Sequence, residues 1–103
     1  KLGTLYFGET TLHYHPEDRT RLDQILLRDQ YTPNLPWNVA KRSYMDGVKF
    51  YFTNENWFSI RFSGTEPILR LVYETASPEE AKELLAAVFD DEHLALPSPE
   101  GEM

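Results

Sequence analysis

The chain has 103 residues, 10 of them basic and 17 acidic, so it is long enough for one small domain and carries a net charge of -7. That charge argues against general nucleic-acid binding and against an anionic membrane surface as a partner, because both need a basic face. Cysteine is absent, which excludes disulfides and thiolate metal sites, and no apolar run reaches membrane-spanning length. We therefore expect a cytoplasmic protein that binds neither nucleic acid nor membrane.

The first fifteen residues are compatible with one short strand or with two strands interrupted at Gly8. The apolar side chains that would line such a strand are Leu5, Phe7, Leu12 and Tyr14. His13 and His15 would share one face of it, with Asp18 nearby, but no metal-ligand spacing supports a metal site there. We favour surface histidines in a connecting segment.

Two helices are predicted, one on each side of a central block. Pro16, followed by acidic residues, starts the first helix, which should end near Asp29. Ser77 is an N-cap for the second helix, with Pro78 in its first turn and Glu80 completing a capping box. Each helix has an apolar stripe that should face a core: Leu22, Ile25 and Leu26 in the first, and Ala81, Leu84, Leu85 and Val88 in the second.

The central block has the pattern of short strands joined by turns. Residues 30–36 contain two prolines and predict an irregular connection, after which strands begin near Trp37. Residues 46–47 are a strong hairpin signal, and residues 54–56 form a further turn. Apolar and polar side chains alternate after the hairpin, with Val48, Phe50 and Phe52 on one face. We predict an α+β fold in which an antiparallel sheet of about four strands has helices packed on one face.

A loop with the character of an anion site lies between the last two predicted strands. Its sequence over residues 61–67 is Arg-Phe-Ser-Gly-Thr-Glu-Pro, and Arg70 follows. The hydroxyls of Ser63 and Thr65 can donate hydrogen bonds, and Gly64 permits either a close approach of the backbone or a positive φ. Arginine presents a planar fork that matches phosphate oxygens, and successive N–H groups in a turn can form an anion-binding concavity. In an acidic chain, this pattern favours one small, specific anion.

The order and spacing of several segments resemble the C-terminal domain of the α-D-phosphohexomutases, the family of phosphoglucomutase, phosphomannomutase and phosphoglucosamine mutase. The segments are Asp46-Gly47-Val48-Lys49, Trp57 to Arg61, the run from Phe62 to Arg70, Tyr73-Glu74, and the capped helix that follows. The most specific part is Arg-x-Ser-Gly-Thr-Glu-Pro with an arginine three residues after the proline. Many family members have proline at the position of Phe62, which lies between the functional positions.

The resemblance implies a TATA-binding-protein-like fold and a four-domain enzyme of which this is the last domain. Residues 1–30 would be the end of the preceding domain and a hinge helix. Residues 31–95 would be the phosphate-binding domain, and residues 96–103 a flexible tail. Lys1 is not an initiator methionine, so we expect the chain to be part of a longer polypeptide.

The resemblance also implies a function and a set of contacts. The substrate-phosphate contacts would be Arg61, Ser63, Gly64, Thr65 and Arg70. In this family a phosphoserine of another domain exchanges a phosphoryl group with a hexose phosphate through a hexose 1,6-bisphosphate, and the ligands of Mg²⁺ lie outside this region. The implied activity is that of an isomerase, an intramolecular phosphotransferase whose other domains are the partners of this one. This part would act as a lid that holds the phosphate not being transferred, and alone it should be inactive.

Less specific interpretations stay open beside this one. Arg61 and Arg70 could form surface ion pairs with Glu66 or Glu74, and the loop hydroxyls could serve the turn alone. The large side chains around the loop are more typical of sheet packing than of sugar stacking: Trp57, Phe58, Ile60 and Tyr73. The chain could also be a non-catalytic interaction module that retains the fold.

Overall fold

The structure is a computed structural model that describes residues 6–28, 31–45, 47–91, 94 and 96. The elements in chain order are β1 (Tyr6–His13), a first helical region made of a 3-10 turn (Pro16–Asp18), α1 (Arg19–Asp23) and a π-helical stretch (Gln24–Arg28), then β2 (Val39–Ser43), β3 (Val48–Phe52), β4 (Trp57–Phe62), β5 (Ile68–Thr75) and α2 (Pro78–Phe89). Neither helical region within these ranges has the length and apolar character that crossing a bilayer requires.

The strands form one antiparallel sheet in the order β1-β5-β4-β3-β2. The predicted α+β class and TATA-binding-protein-like arrangement are confirmed, but the sheet has five strands instead of about four. The additional strand is β1, which pairs along its whole length with β5, from Tyr6 opposite Thr75 to His13 opposite Ile68. Its pairing partner lies about 60 residues away in sequence, so local patterns could not define it.

Strand β1 continues through Gly8 and is not interrupted there. Gly8 lies opposite Tyr73 on β5, and a Cβ atom at position 8 would lie 2.3 Å from the Tyr73 hydroxyl oxygen. Glycine is therefore required because the tyrosine ring covers the strand at this point. Since side chains alternate, Phe7 points away from the core and is exposed, whereas Leu12 is fully buried.

The core lies between one face of the sheet and the two helical regions. It combines the predicted helix stripes with the inward side chains of the strands, of which β2 contributes the partly buried Val39. Its fully buried members are Leu12, Leu22, Leu26, Val48, Phe50, Phe58, Ile60, Leu69, Leu71, Leu84, Val88 and Leu94. Phe50 and Phe58 stack with their ring centroids 5.0 Å apart. Each such side chain stabilises the fold by about 1.5–3 kcal/mol relative to exposure. The predicted alternation in β3 and the predicted core faces of both helices are confirmed.

Residues 6–28 share this core with the rest of the chain, through Leu12, Leu22 and Leu26. The proposed domain boundary at residue 30 stays a prediction, and the end of the first helix, predicted near Asp29, lies just outside the described residues. Most of the predicted tail at 96–103 also lies outside them.

The irregular connection predicted over residues 30–36 is present where it is described, from Tyr31 onward. The Arg42 guanidinium on β2 ties it to the sheet by donating to the Tyr31 carbonyl and to Thr32 Oγ1, the latter over 2.6 Å. Burial, together with the neighbouring Asp91 carboxylate, raises the pKa of Tyr31 well above its ordinary value. Arg42 is thus used within the fold.

One turn and one β-bulge define the register of strands β2 and β3. Gly47, in the hairpin between β2 and β3, has φ of +76°, and a Cβ atom there would lie 2.2 Å from the Ile60 carbonyl oxygen. This confirms the hairpin signal at its described position. On the outer strand β2 the register shifts between Val39 and Lys41, which marks a β-bulge.

Helix α2 begins as predicted at Ser77, whose hydroxyl oxygen accepts a hydrogen bond of 3.2 Å from the Glu80 N–H. The Glu80 carboxylate accepts a hydrogen bond of 2.8 Å from Asn56 Nδ2 in the turn between β3 and β4. Asn56 is buried, and its side-chain oxygen also accepts from the Ala76 N–H over 3.1 Å. The sequence marked Asn56 only as a turn residue, but its side chain fastens that turn to the start of α2.

Candidate anion-binding site

The predicted anion loop is the connection from β4 to β5, residues 63–67, which we name the 63–67 loop. Its base is closed by a hydrogen bond of 3.0 Å from the Ser63 N–H to the Ile68 carbonyl. A second bond of 3.2 Å runs from the Tyr14 N–H to the Pro67 carbonyl and joins the loop to the end of β1. The residues at the tip, Gly64 to Pro67, are exposed. The loop thus has a fixed base and a tip open to solvent.

The Ser63 hydroxyl organises the tip of the loop. Its oxygen accepts hydrogen bonds from the N–H groups of Thr65, at 3.3 Å, and Glu66, at 3.4 Å. The Thr65 hydroxyl lies 3.5 Å from it, close enough for a weak hydrogen bond. Two backbone N–H groups and two hydroxyls therefore converge within one short turn. Such a concentration of donors is typical of anion-binding turns, although Ser63 also has the simpler role of stabilising the turn.

Gly64 does not have the positive φ that was one of its two possible roles. A Cβ atom built at position 64 would meet nothing within 4 Å, so neither backbone strain nor internal packing requires a glycine there. The other possible role, a close approach of a ligand to the backbone, is compatible with this open space.

Arg61 and Arg70 lie directly opposite each other in the β4–β5 ladder, with Thr11 of β1 next in the same row. Alternation along the strands places all three on the sheet face away from the helices, because the adjoining Ile60 and Leu69 are buried in the core. Two like charges placed opposite each other are unfavourable unless an anion lies between or near them. The register thus places two arginine residues side by side at the base of the 63–67 loop.

Neither arginine forms the ion pair proposed as the simpler interpretation. Arg70 Nη1 lies 3.8 Å from Glu9 Oε2 of β1, and both side chains are about half exposed, at 40% and 52%, so this pair is loose. The Glu74 carboxylate accepts a 2.9 Å hydrogen bond from Trp57 Nε1. Among the described residues, Arg61 is exposed and has no carboxylate partner. Both guanidinium groups therefore remain accessible to an anion.

A groove of about 290 Å³ lies on the other side of the loop and is lined by Tyr14, Pro16, Arg19, Ser63, Gly64, Thr65, Glu66 and Pro67. Arg19 enters it from α1, with its guanidinium carbon 4.0 Å from the centroid of the Phe62 ring. The structure therefore brings Ser63, Gly64 and Thr65 together with Arg19, while Arg61 and Arg70 lie on the opposite sheet face. Sequence reasoning did not single out Arg19, and as a charged residue on a helix surface it carried no distinguishing signal.

The large side chains near the loop mainly pack the sheet, as predicted. Phe58, Ile60 and Tyr73 are buried in the core. Trp57 lies on the open face, where Lys49 Nζ is 4.1 Å from the centroid of its ring. The exposed polar groups near these side chains are therefore those of the 63–67 loop and its flanking arginines.

No group of three or more histidine, aspartate or glutamate side chains in the described part of the chain is arranged to hold a metal ion. This includes His13 and His15, for which a metal site had been considered.

The family model for the C-terminal domain of phosphoglucomutase/phosphomannomutase matches residues 27–91, which is more than half of the chain and includes the 63–67 loop with both flanking arginines. The comparison with curated proteins returned no match. Together with the α+β fold, the family match shows that the chain belongs to the phosphoglucomutase/phosphomannomutase family, as its C-terminal domain.

Proposed function

We propose that this domain binds the phosphate group of a hexose phosphate that is not being transferred, in an enzyme that interconverts hexose 1-phosphate and hexose 6-phosphate. The contacts proposed are Arg61, Ser63, Gly64, Thr65 and Arg70. The phosphoserine, the magnesium ion and a hexose 1,6-bisphosphate intermediate belong to the proposal as contributions from outside this chain. The other domains of the same polypeptide are the partners, the location is cytoplasmic, and this domain alone does not transfer phosphate.

The observation that carries the proposal is the position of Arg61 directly opposite Arg70, at the base of a loop whose donors converge. A phosphate dianion placed there relieves the repulsion between the two guanidinium groups. It also accepts charge-assisted hydrogen bonds, each worth about 1.5–3 kcal/mol where solvent is excluded. Because these side chains are exposed, each contact contributes less in the isolated domain, and we expect a dissociation constant of about 1 mM.

Weak binding suits the chemistry that the family performs. The sugar must be held in one orientation during transfer, then released so that its other end can face the phosphoserine. A small domain that closes over the site adds contacts only when closed and excludes water from a phosphoenzyme that would otherwise hydrolyse. Exposed arginines on the open sheet face allow both firm holding and release of the sugar. Closure of the other domains against them would strengthen their hydrogen bonds to the phosphate, and opening would weaken them again.

The test is a titration of the chain with glucose 1-phosphate, followed by NMR of the backbone amides. We expect shifts concentrated in residues 61–70, and in Arg61→Ala a loss of affinity of at least about tenfold. Arg28→Ala is the matched control, because Arg28 is 67% exposed and pairs with Asp23 away from the loop. If residues 61–70 do not respond to the ligand, or if both variants bind alike, the proposed function is wrong.

A further inference from the structure

We propose that Arg19 is a further phosphate-binding residue, which supplies a third guanidinium group to the 63–67 loop from the helix side of the sheet. The groove between Tyr14, Pro16, Arg19 and the loop would then be an oxyanion subsite. This inference rests on the proposed function, because it concerns the same phosphate. The family match begins at residue 27 and therefore assigns no role to residues 14–19.

The Arg19 guanidinium is held in place by an aromatic ring. Its central carbon lies 4.0 Å from the Phe62 ring centroid, and Phe62 is itself partly buried against the edge of Tyr14, with centroids 5.7 Å apart and planes at 86°. A cation–π contact of this kind stabilises the observed position of the guanidinium. It fixes the position of the guanidinium while its N–H groups stay available to donate hydrogen bonds to an anion's oxygens.

The charges around Arg19 distinguish it from its neighbours on the same helical region. Asp18 pairs with Arg21 at 3.5 Å, and Asp23 pairs with Arg28 at 3.2 Å. Within the part of the chain that the structure describes, Arg19 has no carboxylate partner. Asp18 and Asp23 are thus paired with other arginines, Glu17 is exposed, and Arg19 lines the groove.

The groove itself provides the remaining groups that an oxyanion needs. The hydroxyl-bearing residues Ser63 and Thr65 line it together with Arg19. Glu66 also lines it, and its exposed carboxylate opposes an anion there. A cation in the groove offsets that repulsion, which Arg61 and Arg70 do less well from the opposite sheet face. The tip of the loop is then flanked by guanidinium groups on both sides.

The experiment is a titration of the whole chain with glucose 1-phosphate and, separately, with inorganic phosphate. Arg19→Ala should weaken binding of both probes about fivefold, because one charge-assisted contact at an exposed position is lost. Arg28→Ala should leave both affinities unchanged, and Arg19→Lys should lie between, since lysine keeps the charge but not the fork. The Arg19 side-chain Nε–H resonance should shift on addition of either probe.

Phe62 provides a second, independent variant. Phe62→Leu keeps an apolar side chain but removes the ring that holds Arg19, so it should weaken binding about twofold. The same change should have no effect on affinity when Arg19 is already alanine, because the ring acts through the arginine. An equal effect in both backgrounds would overturn this part of the inference.

The outcomes separate this inference from the proposed function. If Arg61→Ala weakens binding but Arg19→Ala behaves like Arg28→Ala, the role of Arg19 is wrong and the proposed function stands. If Arg19→Ala weakens binding of glucose 1-phosphate alone, Arg19 contacts the sugar and the phosphate subsite is overturned. If the loop residues of the wild-type chain respond to neither probe, the proposed function is wrong, and the role of Arg19, which rests on it, is overturned as well.

Discussion

Strand β4 is joined to its neighbours by two connections of similar length that are built in opposite ways. The turn before it, residues 53–56, ends in the buried Asn56, whose side chain bonds to Ala76 and Glu80. The connection after it, the 63–67 loop, has an exposed tip whose side-chain hydrogen bonds stay within the loop. The first connection links the sheet to α2, whereas the exposed polar tip of the second is accessible to a ligand.

The two connections also differ in their backbone φ angles. Glu55 in the turn has φ of 75°, a conformation that costs a non-glycine residue about 1–2 kcal/mol and persists only where surrounding contacts enforce it. The 63–67 loop contains no positive φ, although it includes a glycine. Strain is thus found where the fold needs a fixed geometry, and the candidate binding loop is free of it.

The largest expected effect is on stability, at the turn. Asn56→Ala removes the partners of the Ala76 N–H and of the Glu80 carboxylate, and we expect the free energy of unfolding to fall by about 2–4 kcal/mol. Urea denaturation measures it. Thr53→Ala is the control, since the Thr53 side chain is exposed and only its N–H bonds to the Asn38 carbonyl. Equal stability of the two variants would mean that the side-chain hydrogen bonds of Asn56 do not stabilise the fold.

The second prediction uses two glycines at the same end of the sheet. Gly47→Ala should lower stability by about 2 kcal/mol, because the new Cβ would meet the Ile60 carbonyl oxygen in a left-handed conformation. Gly64→Ala should leave the unfolding midpoint unchanged, since nothing lies within 4 Å of the new atom. Its affinity for glucose 1-phosphate should fall about three- to tenfold if a phosphate approaches the backbone there. Unchanged affinity would remove Gly64 from the site.

The smallest expected effect concerns the Ser63 hydroxyl. Ser63→Ala should lower the stability by less than about 1 kcal/mol, because the two N–H groups that it releases can bond to water. Calorimetry should show affinity for glucose 1-phosphate reduced about threefold. Ser59→Ala, on β4 and away from the loop, is the control and should leave binding unchanged. A large loss of stability with normal affinity would make Ser63 a structural residue only.

Local patterns were sufficient to predict much of the fold. The alternation around Phe50, the hairpin at Gly47 and the N-cap at Ser77 each depend on residues close in sequence, and the structure has all three. Gly8 and Asn56 could not be interpreted this way, because their roles depend on Tyr73 and Glu80, which fold against them from far along the chain.

The candidate site was predictable to a similar extent. The motif predicted which residues flank the loop, because the residues of two consecutive strands and their connection are contiguous in sequence. It did not predict that Arg61 and Arg70 lie on one sheet face while Ser63 and Thr65 line a groove on the other. Arg19 was missed because its proximity to the loop arises from the packing of the first helical region beside Phe62.

The β-bulge on β2 has a consequence for how copies of the protein behave in a crowded solution. An outer strand with an uninterrupted row of N–H and C=O groups is a template on which a second molecule can add its own strand. The extra residue between Val39 and Lys41 interrupts that row and increases the local twist, and Lys41 adds a charge. The β2 edge of the sheet thereby disfavours the addition of strands from other copies of the protein.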